Sequence, residues 1–187
     1  MAIVRLDNVR IGFPFLHTPR DSVGDDGKTR STYECMIIIQ KGSAAHKKLS
    51  DGIREAITAK WPNGKPKGLK LCMRDGADKE DMAGVDENTV FFNCRSYVPP
   101  RVINKDRTDV DPRSGTIYAG CYVNVSVDLY GHYHNKSGNR VNAQLRGVQF
   151  AGDGEAFGGG SVASADEFEQ LEAAPAGLDD YEDDLMA

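Results

Sequence analysis

From Ile117 to Tyr130 the side chains change character at every step. Odd positions read Ile117, Ala119, Cys121, Val123, Val125, Val127 and Leu129, while even positions read Tyr118, Gly120, Tyr122, Asn124, Ser126, Asp128 and Tyr130. A period of two marks a strand, because successive side chains point to opposite faces of a sheet. One face is apolar throughout and has to cover a core. The other is polar yet carries three tyrosines. The pattern predicts a long strand over 116–134 and makes the chain mainly β.

Two neighbouring segments repeat the device. In Thr89–Val98, Val90, Phe92 and Cys94 suit an interior, and Phe91, Asn93, Arg95 and Tyr97 point the other way. In Arg140–Phe150, Val141, Ala143 and Leu145 alternate with Asn142, Gln144 and Arg146. Residues Asn135–Asn139 suit a hairpin connection between the last two strands. Nearer the start, residues 3–13 read as a strand bent near Asp7 and Asn8, and Ser31–Lys41 as a second strand. Between them, Phe15–Thr29 holds Pro19 and an Asp25-Asp26-Gly27 cluster and reads as loop.

One helix is predicted. Leu49, Ile53, Ile57 and Trp61 recur every four residues, Ser43 can cap the N-terminus, and Pro62 with Gly64 stops the run. Trp61 thereby belongs to the packed stripe rather than to a ligand platform. Residues 62–88 read mostly as loop, with a short strand over 69–73. Five principal strands and one helix within 150 residues suit a small antiparallel barrel or a curled sheet.

Charge divides the chain at the same point. The net charge of -5 looks unsuited to a polyanion, but all 23 Lys and Arg residues fall within residues 1–150, against 17 acids, a net of +6. Residues 151–187 carry eleven acids and no base. A folded domain over 1–150 is expected, then a glycine-rich linker and an acidic tail, too charged to pack alone and so disordered when unbound. Cys35, Cys72, Cys94 and Cys121 form no CxxC pair, which points to reduced thiols and a cytoplasmic setting. Neither a targeting segment nor a membrane span is expected.

The polar faces mix aromatics, amides and arginines, beside a loop that holds Pro99, Pro100, Arg101, Lys105, Arg107 and Arg113 among aspartates. Single-stranded nucleic acid calls for that mixture: rings stack on bases and cations follow phosphates without reading sequence. Half-exposed tyrosines are ordinary in strands, so a single ring decides nothing, whereas the set beside basic loops favours binding. A second basic loop, with Lys65, Lys67, Lys70 and Arg74, reads as solvated surface. Enzyme chemistry finds little support. His132 and His134 share a face but lack a third metal ligand, and no nucleophile–base constellation stands out. No catalytic residue, metal or cofactor is assigned.

The run Tyr118-Ala119-Gly120-Cys121-Tyr122-Val123-Asn124-Val125-Ser126-Val127 resembles the bacteriophage single-stranded DNA-binding proteins of OB-fold type. So do Pro99-Pro100-Arg101-Val102, the run Leu145-Arg146-Gly147-Val148-Gln149-Phe150, and the Gly152-Asp153-Gly154-Glu155 that follows it. The likeness is specific over 97–160. It implies a five-stranded antiparallel OB-fold barrel whose concave face binds single-stranded DNA in phage replication and recombination. It also implies an acidic tail that covers that face in the absence of DNA and contacts replication proteins such as a polymerase or a helicase-primase. Two features depart from the pattern. The helix follows the second strand rather than the third, so either an extra N-terminal strand is hidden or the helix is an insertion. The chain ends Leu185-Met186-Ala187 with no terminal aromatic.

The resulting reading is a sequence-nonspecific single-strand binder of the host bacterial cytoplasm. Tyr97, Tyr118 and Tyr122 are the stacking candidates, and Arg95, Arg101, Lys105, Arg107, Lys136, Arg140 and Arg146 the phosphate contacts. Asp179, Asp180, Tyr181, Glu182, Asp183, Asp184 and Leu185 form the partner-binding end of the tail. Oligomeric state stays open, with a homodimer among the options. The rivals are a protein-interaction or virion-assembly module working through its tail, an RNA-binding or annealing factor, and a metal-dependent nuclease.

Overall fold

The computed structural model describes residues 2–158 other than Asp25 and Glu80. Its elements are β1 (Ala2–Val23), β2 (Thr29–Gln40), α1 (Ala44–Lys60), β3 (Arg74–Asp75), β4 (Thr89–Ser96), β5 (Arg101–Ile103), β6 (Tyr122–His134) and β7 (Gly138–Gly152). Strand β1 pairs antiparallel with both β2 and β6, β2 with β4, and β6 with β7. A parallel contact between Arg95 of β4 and Gln144 of β7 shuts the ring. The result is a closed barrel of five long strands with one helix.

Strand β6 delivers the apolar face its alternation requires: Val123, Val125, Val127 and Leu129 are fully buried. They meet Leu6, Ile11, Ile37, Phe92, Cys94 and Leu145 from the other strands. Helix α1 lays Leu49, Ile53 and Ala56 over this core. The Ser43 hydroxyl accepts the His46 N–H at 3.2 Å as N-cap, and Trp61 packs against the core at the C-terminal end. The helix follows the second barrel strand, and no additional N-terminal strand precedes it among the described residues, so it is inserted at that place in the ring. All four cysteines are free, with the Sγ atoms of Cys35 and Cys94 3.4 Å apart inside the barrel.

Strand β1 differs from expectation beyond residue 14. It bends where anticipated, with Asn8 at φ 53° and a register shift between Leu6 and Val9. It then continues to Val23, pairing with β2 as far as Val23 and Thr29, where the sequence suggested loop. Register shifts between Gly12 and Phe15 and between Phe15 and Arg20 enclose Pro14 and Pro19. Proline lacks an N–H for the ladder, and bulges are where a strand tolerates it.

Two further corrections bear on the site. Residues 116–121 are not strand; Gly120 at φ 107° and the Cys121 N–H bond to the Tyr118 carbonyl (3.2 Å) turn the chain before β6 begins. Phe91, expected on the polar face, is 2% exposed. It joins Met36, Ile38 and Val85 in a second apolar cluster outside the barrel wall, closed by Met82 and Phe157.

Candidate nucleic-acid interface

Outward-facing side chains of β4, β6 and β7 fall into cross-strand rows. His132 stands opposite Arg140, Tyr130 opposite Asn142, and Asp128 opposite Gln144, which itself meets Arg95 across the closing contact. The chain before β3 adds a further wall. Lys70 bridges to Arg140, with its N–H donating to the Asn139 carbonyl (3.0 Å) and its carbonyl accepting from the Val141 N–H (2.9 Å). These elements enclose a groove of about 970 Å³ lined by Lys70, Arg74, Arg95, Tyr97, Tyr130, His132, His134, Arg140, Asn142 and Gln144, with Leu71 and Cys72 in the wall.

No Asp or Glu lines this groove among the described residues. The acid that β6 puts on the same face, Asp128, is 8% exposed, and its Oδ1 has no hydrogen-bond partner. Four permanent cations around a concave, acid-free surface focus a positive field where a phosphate chain would run. Tyr97 is 69% exposed and offers an open ring face. Burial pushes the Cys72 thiol up to about 11, so it is a packing group and not a nucleophile at neutral pH. His132 and His134 lie with ring centroids 6.5 Å apart, and no set of three His, Cys, Asp or Glu side chains converges on one point among the described residues.

Of the residues the sequence singled out, Arg95, Tyr97 and Arg140 meet in this groove. Lys136 lies at its rim in the β6–β7 turn, where its N–H donates to Nδ1 of His134 (3.3 Å). Arg101, Lys105 and Arg107 sit instead beside the other half of β7. There β5 runs parallel to Gly147–Gln149, Arg101 pairs with Asp109 at 2.9 Å, and the Lys105 ammonium lies 5.5 Å from the Phe150 ring centre. Arg146 is exposed as the extra residue of a β7 bulge, between the pairs Leu145–Val127 and Gly147–Ser126.

Tyr118 and Tyr122 stand at the far end of the barrel. The Tyr118 hydroxyl accepts the Gly154 N–H (3.1 Å) and lies within hydrogen-bonding distance of the Gly154 carbonyl (3.0 Å) and the Asp153 carboxylate (3.1 Å). Tyr122 is half-buried beneath the Arg10 guanidinium, 5.6 Å from its ring centre. Arg10 also lies 4.3 Å from the centre of the Phe157 ring, and it donates to the carbonyls of Gly120 and Glu155. The start of the linker is thereby strapped down as far as Phe157, past the expected boundary at 150. Neither tyrosine lines the groove.

Sequence reasoning missed Lys70, Arg74, Tyr130 and the two histidines as groove residues. Alternation along β6 already put Tyr130 on the correct face. Lys70 and Arg74 read as solvated loop because long-range pairings place them: Lys70 bridges to Arg140 of β7, seventy residues away, and Arg74 pairs with Phe91 of β4. The tail residues Asp179–Leu185 lie outside the described residues.

A closed five-stranded barrel bearing a cationic, aromatic groove defines an OB-type binding barrel. The chain belongs to the family described as Enterobacter phage Enc34, ssDNA-binding protein, whose family model matches residues 2–183. A putative protein p50 of Acyrthosiphon pisum secondary endosymbiont phage 1 is 34% identical over 181 residues, 91% of this chain and 95% of that protein. Among solved structures, the single-stranded DNA-binding protein from bacteriophage Enc34 in complex with ssDNA matches with a TM-score of 0.69 at 28% identity, covering 84% of this chain and 90% of that one. The bacteriophage T7 single-stranded DNA-binding protein gp2.5 matches at 15% identity with a TM-score of 0.56 over 90% of this chain and 98% of its own, a likeness of fold.

Proposed function

We propose that this chain binds single-stranded DNA without sequence preference, protecting it and removing its secondary structure during phage replication and recombination in the host cytoplasm. It works by binding and not by chemistry. The observation that carries this reading is the groove itself: Lys70, Arg74, Arg95 and Arg140 with Tyr97 and Tyr130, and no acid among the described lining residues. The cations take phosphates and the rings take bases. Lys136 and Arg146, then Arg101, Lys105 and Arg107, supply flanking phosphate contacts along the rest of β7. Tyr118 and Tyr122 brace the linker root. The solved relative from phage Enc34, captured with ssDNA, supports the same reading.

The acidic tail competes with DNA for the groove and recruits replication partners. The nine negative charges beyond Gly158 mimic the polyanion, and the tether keeps them at an effective concentration on the order of mM. The test is titration of a fluorescent single strand with the full chain and with a chain ending at Gly158, at two salt concentrations. Tail removal tightens binding, and affinity falls with salt at about −0.7 per phosphate contacted. Equal affinity of the two proteins at low salt refutes tail competition. Absence of any binding at low salt refutes the function and favours a protein-interaction module.

A further inference from the structure

The groove does not stop at β4. Arg95 and Asn93 line it from one side and, from the other, a second concavity of about 420 Å³ against the β1–β2 arm. Cross-strand pairing makes the passage continuous: Phe15, Glu34, Arg95 and Gln144 form one row over β1, β2, β4 and β7. At a strand spacing of about 4.8 Å, that row carries the surface about 10 Å beyond the closing contact.

Phe13 stands over this extension. It is 57% exposed, an unusual state for a phenylalanine in the middle of a strand. Its backbone is at φ 47°, left-handed for a bulky residue, and it precedes Pro14, a position that favours extended backbone. The bulge between Gly12 and Phe15 holds it there. Backbone strain spent on turning a ring outward is characteristic of binding sites. The charges also suit a polyanion. Arg20 lies 5.8 Å from the centre of the Phe15 ring and pairs with Glu34 at 3.3 Å, which offsets the acid of this concavity, and Arg95 is common to both.

We infer that the β1–β2 arm is a second base-stacking subsite, in which Phe13 stacks on a base of a strand that has crossed Arg95 from the main groove. The inference rests on the single-strand reading above, and it makes the site length-dependent. A short strand fills the main groove alone, and a longer one reaches Phe13.

The experiment uses the full chain with fluorescent oligothymidylates of about 4 and about 16 nucleotides, the span of site sizes for one such barrel. Phe13→Ala should lower affinity for the long strand about 5- to 140-fold, the range for one lost base stack, and leave the short strand unchanged. Phe13→Tyr should restore long-strand affinity. A second variant reports on the ring directly. Trp61 is the chain's one tryptophan and packs at the end of α1 against the core. In a Trp61→Phe background, Phe13→Trp should lose fluorescence on binding the long strand and keep it with the short one. The inference is overturned if Phe13→Ala leaves long-strand affinity unchanged, if both lengths lose equally, or if the introduced tryptophan is blind to the long strand. Failure of the unmodified protein to bind either length overturns the single-strand reading as well.

Discussion

Replacing Gly84 with alanine should loosen the linker root by a predictable amount. Gly84 sits at φ 79°, and a Cβ built there would collide with the Phe157 ring. Two costs add. A left-handed conformation disfavours an L side chain by about 1–2 kcal/mol. Displacing a half-buried ring forfeits roughly half of the ~1.5–3 kcal/mol for burying phenylalanine fully, or about 1 kcal/mol. The sum, about 2–3 kcal/mol, lowers Tm by about 4–12 °C in a domain of this size. A thermal melt of Gly84→Ala, Phe157→Ala and the double variant separates the two terms. With the ring already gone, the glycine change should cost only the backbone part, leaving a coupling of about 1 kcal/mol. If Gly84→Ala costs the same with and without the ring, Phe157 is not seated against Gly84.

Three further outcomes follow from named contacts. Ser43→Ala removes the α1 N-cap and should cost about 1 kcal/mol by chemical denaturation, whereas Ser43→Asp should cost much less. The raised Cys72 pKa means that the folded chain holds this proton where the unfolded chain has released it. Stability should therefore fall as pH rises from 9.0 toward about 11, and Cys72→Ser should flatten that alkaline limb. At pH 8 iodoacetamide should modify Cys72 far more slowly in the folded chain than in denaturant, checked by mass spectrometry.

What the sequence made legible was local. The alternation in β6, the inward positions Val90, Phe92 and Cys94 of β4, and the Ser43 cap with its four-residue apolar spacing all depend on neighbours a few residues away. They landed where expected. The departures share a different origin. Pro14 and Pro19 looked like loop punctuation, yet two bulges absorb them within one strand. Phe91 looked like a surface aromatic because the segment that buries it, with Met82 and Val85, follows no pattern of its own. Alternation was carried through Tyr118, but Gly120 breaks the strand there, so parity no longer reported its face. The groove was half visible: Arg95 and Arg140 come from strands whose faces were readable and Tyr97 directly follows β4, while Lys70 and Arg74 enter through long-range pairings with β7 and β4.

In the bound state, phosphates are expected to run along the cations between β4, β7 and the segment before β3. The most direct measurement is the slope of log affinity against log salt for a fluorescent single strand bound to the full chain. Arg95→Ala and Arg140→Ala should each weaken binding and shallow the slope by about 0.7. Arg54→Ala, on the exposed face of α1 and paired with Asp51, should change neither. Slopes that stay the same in both groove variants would contradict the account, whatever their effect on affinity.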